Sequence, residues 1–105
     1  MTEPRVVLTT CSSLEEARHI ARALVEQQLA ACVNLVPQVE SMYRWKGEVE
    51  TSTEVLLVIK TTAGAFERLQ AVVLKLHSYE VPECLELTVT DGSKAYLNWI
   101  GESVR

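Results

Sequence analysis

Between residues 77 and 84 the stretch HSYEVPEC gathers His77, Tyr79, Glu80, Glu83 and Cys84. Imidazole, carboxylate and thiolate together form a donor set suited to zinc or copper, and a loop can bend to present them. The competing reading is structural, because a histidine near a helix C-terminus is favoured by the macrodipole and the two glutamates suit a solvated loop. A further donor, Cys11 in TTCSS, stands just ahead of a helix start, where the dipole favours a thiolate. Its alternative is a small packed thiol at a strand end. Cys32, between Ala31 and Val33, reads as a small buried side chain, and nearby Asn34 either faces outward or is hydrogen-bonded across a subunit boundary.

The three cysteines show no CxxC spacing, which argues against a disulfide framework and against a closed four-thiolate zinc site. A reducing compartment fits them, so a cytoplasmic location is expected. No Ser-His-Asp grouping, phosphate-cradling glycine loop, HExxH motif or close carboxylate pair in apolar surroundings is present, and His19 falls on a polar helix face. From chemistry alone the enzyme class is the weaker one, no organic cofactor is evident, and a structural role for the HSYEVPEC groups stands ahead of binding a divalent metal ion such as copper or zinc.

The net charge is -4 and the basic residues are scattered, so nothing resembles the concentrated positive surface of a nucleic-acid binder. No run approaches the ~18 apolar residues of a membrane span, and the N-terminal residues do not read as a secretory leader. One stretch of aromatic chemistry remains. In SMYRWKGEVE, Tyr43 and Trp45 share one face of an extended strand and Gly47 permits a turn. Two rings in an acidic chain give weak support for stacking on bases. They suit an interface better, as the projecting end of a hairpin that joins subunits.

The elements that must position these groups can be read from periodicity. RVVLTT is a β-branched strand. Ser13 followed by Glu16 marks a capping box, opening a helix whose face runs through Leu14, Ala17, Ala21, Leu24, Val25 and Gln28. ACVNLVPQVESMYRW is a long extended segment in which Pro37 predicts an edge position or a bulge. EVLLVIKT is apolar on both parities and predicts a strand covered on both faces. A second helix spans AGAFERLQAVVLKLH, with Gly64 and Glu67 as start signal and Phe66, Leu69, Val72, Val73 and Leu76 on its face. Pro82 holds HSYEVPE as a loop, CLELTVT alternates as a fourth strand, and SKAYLNWIGESV closes the chain as a short helix.

The order β-α-β-β-α-β plus a terminal helix predicts an α+β, ferredoxin-like split fold: one domain over 1–105, a four-stranded antiparallel sheet, and the two main helices on one face. The first and third strands are central there and carry apolar residues on both parities. Self-association is expected to cover the face the helices leave open. RNA-recognition domains share this topology but need stacking aromatics on those strands, which this chain lacks. Copper chaperones share it too, with two thiolates at the first strand-to-helix loop, where Cys11 has no thiol partner.

LAACVNLVP, SMYRWKGEVE, EVLLVIKTT, HSYEVPE and YLNWI, in this order and spacing, closely resemble the CutA family of divalent-cation-tolerance proteins from Val6 to about Ile100. The resemblance implies a ferredoxin-like subunit, a packed homotrimer, and a part in tolerance of copper and other divalent cations. It implies no settled biochemical activity. Carried over by position, His77 matches the family's H-P-Y histidine, with Ser78 standing where that motif has proline, and Glu83 matches the acid after the loop proline. Where some members carry a cysteine at the end of the first strand, this chain has Thr9, with Cys11 two residues on. The resemblance thus points to His77 and Glu83 as metal ligands, with Cys11 or Cys84 as the thiol. Two other readings remain: a ligand-sensing trimer like the PII class, which needs a long mobile loop between its second and third strands, and a scaffold that presents a partner surface.

Overall fold

The computed structural model describes residues 3–105. Its elements run β1 (Pro4–Cys11), α1 (Leu14–Glu26), β2 (Cys32–Trp45), β3 (Glu48–Thr62), α2 (Phe66–Leu76), β4 (Leu85–Thr88) and α3 (Lys94–Ser103), with a 3-10 turn at Ala63–Ala65 leading into α2. All strand pairs are antiparallel and the sheet order is β2-β3-β1-β4, so β1 and β3 are central as the split fold requires.

Alternation sorts the central strands into two faces. Val7, Thr9 and Cys11 of β1 and Val55, Leu57, Ile59 and Thr61 of β3 are buried under the helices. Ala17, Ile20, Ala21 and Leu24 of α1 and Leu69 and Val73 of α2 complete that core. The other parity, including Val6, Leu8, Leu56 and Val58, is only half-buried, and Leu85 and Leu87 of β4 on the same side are exposed. α3 packs against β3 and β1, with Ile100 buried.

Several details depart from the sequence expectations. Ile20 belongs to the buried face of α1, whereas Val25 lies at its exposed edge and Gln28 falls beyond the helix with φ 59. The α2 start signal at Gly64 and Glu67 is not used. Its N-cap position is Ala65 and no side chain caps it, because the preceding 3-10 turn leads the chain in. Cys32 is half-buried and its thiol faces the Asn34 side-chain oxygen, which also accepts from Lys60 Nζ; Asn34 is exposed. The fourth strand is shorter than CLELTVT, pairing only over Leu85–Thr88.

The hairpin expected at SMYRWKGEVE is present, and β3 begins at Glu48, ahead of its apolar run EVLLVIKT. β1 pairs with it only from Val55 to Thr62, so Glu48–Glu54 has β2 as its sole neighbour and projects as a two-stranded ribbon. The polar run ETSTE fits this position, because a ribbon outside the core needs no apolar pattern. Pro37 lies on edge strand β2 within a register shift between Val36 and Val39, with Gln38 at φ 62. The ribbon turns over two residues, Lys46 (φ 50) and Gly47 (φ 83), the doubly left-handed geometry that matches strand twist.

Candidate functional site

The chain leaves α2 at His77, and three consecutive residues are then tied to three different elements. His77 Nε2 donates to the Thr10 carbonyl at 2.7 Å, joining the loop to the end of β1. The Ser78 backbone N–H donates to Glu16 Oε2 on α1 at 2.9 Å. Tyr79 Oη donates to Glu54 Oε2 on β3 at 2.5 Å. The Tyr79 backbone N–H also donates to His77 Nδ1 at 3.1 Å, which fixes the ring as the Nε2–H tautomer.

This fastening brings Cys11, Glu16 and His77 together, with one potential donor atom from each lying within 4.8 Å of the others. Cys11 Sγ stands 3.9 Å from His77 Nε2. Tetrahedral zinc would hold a thiolate and an imidazole about 3.6 Å apart, so the spacing is close to that of a soft-metal site. Glu16 contributes more than spacing. Its Oε1 is buried and has no hydrogen-bond partner among the described residues, an orphaned acceptor of the kind a cation satisfies.

The protonated state is favoured in the absence of an ion. Burial, then the charges of Glu16 and Glu54, push the Cys11 thiol from 9.0 up to about 12. The helix-start position that suggested a thiolate is outweighed, since desolvation acts on a fully buried group and both neighbouring carboxylates repel the anion. Burial followed by the bond to Glu54 likewise pushes the Tyr79 phenol up.

The four residues expected as ligands are therefore divided. His77 and Cys11 meet, but Glu83 lines an open cleft and Cys84 packs half-buried against the core, so neither belongs to the three-donor group. Burial, then Glu83, raises the Cys84 thiol. The carboxylate in the group comes from α1. Glu16 was legible only as a capping residue, and Ser13 Oγ does accept the Glu16 N–H at 3.1 Å. The Glu16 carboxylate, however, receives Ser78 from a distant loop, a contact that no local spacing announces. Thr9, at the position where some CutA members carry cysteine, is fully buried and its hydroxyl has no partner.

Beside the cluster, a cleft of about 760 Å³ runs between the base of the ribbon and residues 79–83. Tyr43, Trp45 and Tyr79 supply its rings and Glu50, Glu54, Glu80 and Glu83 its charges. Among the described residues, no helix is long and apolar enough to cross a membrane.

Residues 5–103 match the family model described as CutA1 divalent ion tolerance protein. The chain is 52% identical over 98 residues to the divalent-cation tolerance protein CutA of Thermus thermophilus, covering 93% of this chain and 95% of that protein. It is 47% identical to human protein CutA over 87% of this chain, where it spans only 51% of the relative's length. Among solved structures, the Thermus thermophilus divalent cation tolerance protein superposes with a TM-score of 0.95 at 50% identity, covering 97% of this chain and 99% of that one. CutA1 of Oryza sativa superposes with a TM-score of 0.94 at 40% identity, covering 99% and 96%.

Proposed function

The chain belongs to the CutA1 family of divalent ion tolerance proteins, and we propose that it binds copper or zinc at Cys11, Glu16 and His77 in the response to metal ions, without catalysis. The observation that carries this reading is the convergence of sulfur, oxygen and nitrogen donors, one of them a buried oxygen with no other partner. The donor set fits a borderline or soft ion. Cys11 and His77 Nε2 each carry a proton where the ion would bind, so affinity is modest near neutral pH and rises with pH. Glu83 and Cys84 lie outside this set.

The working form is a homotrimer in the cytoplasm. Three free thiols suit a reducing compartment. Assembly is supported by the projecting ribbon, since two strands alone are marginally stable in water. It leaves Met42 and Val49 71% and 63% exposed, and Tyr43 and Trp45 stand near its tip, beside the Gly47 turn. A neighbouring subunit would cover these groups and the open sheet face. The ligand-sensing alternative calls for a long mobile loop between β2 and β3, where this chain has a two-residue turn.

Titration calorimetry with copper and zinc tests the metal reading. Binding with proton release, abolished in His77→Ala and weakened in Glu16→Gln, is expected; heats no larger than dilution, or undiminished binding in His77→Ala, would refute it.

A further inference from the structure

We propose that the turn at His77–Tyr79 is a latch that metal occupancy opens. His77 can give Nε2 to an ion only by carrying its ring proton on Nδ1 instead, which unseats the Tyr79 backbone N–H and loosens the loop from the base of the ribbon. The inference rests on metal binding at Cys11, Glu16 and His77, and goes beyond it to what an arriving ion would move.

Both ring nitrogens of His77 are engaged. Nε2 carries the proton and donates to the Thr10 carbonyl at 2.7 Å, while Nδ1 accepts the Tyr79 N–H at 3.1 Å. A neutral imidazole has one N–H and one lone pair, so this ring has no free lone pair for a metal. Nε2 is the nitrogen beside Cys11, 3.9 Å from Sγ. For Nε2 to coordinate, its proton leaves to solvent and another enters at Nδ1, so the ring stays neutral and the bond to Thr10 is given up. Nδ1–H then faces the Tyr79 N–H, donor against donor, across a gap that had held a hydrogen bond.

A flip of the Ser78–Tyr79 peptide plane resolves this conflict, turning the N–H away and bringing the Ser78 carbonyl to Nδ1–H. The Ser78 N–H belongs to the preceding plane, so its bond to Glu16 Oε2 can persist. Tyr79 carries the movement outward. Its ring lies against His77 with centroids 4.7 Å apart, and its hydroxyl donates to Glu54 Oε2 at 2.5 Å. Pairing of β3 with β1 begins at Val55, so Glu54 is the residue at which the ribbon leaves the sheet. Residues 77–84 lie outside any helix or strand, so no ladder bond opposes the flip. One peptide plane and one side chain thereby link the end of β1 to the base of the ribbon.

The test is nuclear magnetic resonance of the whole protein, in its solution oligomeric state, at about pH 8, where an ordinary imidazole is neutral. Histidine is isotope-labelled, and His19→Gln leaves His77 as the one imidazole. Zinc binding is followed by calorimetry on the same sample. The expected result is an Nε2–H ring without zinc, an Nδ1–H ring with it, and hydrogen exchange at the Tyr79 amide about tenfold faster in the loaded form. Tyr79→Phe frees the far end of the latch. Compared within a Glu54→Gln background, where the carboxylate charge is absent from both proteins, it should tighten zinc binding about threefold, whereas removing a mere support would weaken it. A ring already protonated at Nδ1 without zinc, bound zinc with Nδ1 unprotonated or the Tyr79 amide still protected, or unchanged or weaker binding in the Phe variant would overturn the latch while leaving the metal site standing. Zinc that does not bind at all would overturn both.

Discussion

At the scale of single residues, the cluster at the end of β1 is decided by desolvation. Cys11, Glu16 and His77 offer good donors, yet burial and two carboxylates keep the thiol protonated. Because the folded-state thiol is raised from 9.0 to about 12, its contribution to stability is complete below about pH 9 and is lost as pH rises towards 12. Tyr79 is shifted in the same direction and adds to this alkaline loss. Melting temperature measured across that window should fall less steeply in Cys11→Ala than in the parent protein. Thr9 yields a second expectation. Its buried hydroxyl has no partner, so the near-isosteric Thr9→Val should raise unfolding stability by about 1 kcal/mol, measured by urea denaturation. The cysteine and histidine were visible in the sequence as donors. Glu16 was not, because a carboxylate three residues after an N-cap already has a local explanation, and its contact with Ser78 spans 62 positions.

At the scale of elements, the strands and helices were legible wherever one face meets the core. α1, the half of β3 paired with β1, and the edge position of β2 all follow from periodicity and from Pro37. Structure formed without a core was legible through turn chemistry at Gly47 but not at the start of α2. The Glu48–Glu54 half of β3 is held by ladder bonds to β2 alone, and α2 begins without a capping side chain. The Lys46–Gly47 turn sets the ribbon register. A side chain at Gly47, with φ 83, meets no neighbour but strains the backbone, so Gly47→Val should cost about 1 to 2 kcal/mol through conformation rather than collision. Gly47→Asn, which tolerates that region, should recover most of the loss in the same denaturation assay. If both variants were equally destabilised, the turn argument would fail.

At the scale of the whole molecule, the ribbon makes the subunit elongated, 44 × 25 × 22 Å with a radius of gyration of 14.2 Å. A compact chain of this length would have a radius of about 13 Å. Apolar residues on both parities of β1 and β3 carry the expectation of a partner, and the exposed Leu85 and Leu87 lie on the face that expectation concerns. The sequence specifies no partner geometry, because a residue that would contact another copy looks like a surface residue within one chain. Trp45→Ala should shift the assembly towards monomer in light scattering at micromolar concentration, while circular dichroism remains that of a folded subunit. An unchanged oligomer would mean that the ribbon tip does not join subunits.

The metal proposed for this protein would be held where the end of β1, the first turn of α1 and the residue after α2 converge. Anomalous diffraction from a crystal soaked in copper or zinc tests it most directly. The expected result is a single strong peak per chain between Cys11 Sγ, the Glu16 carboxylate and His77 Nε2, absent from crystals of His77→Ala. A peak at Glu83 and Cys84, or no ordered ion at the three-donor cluster, would contradict it.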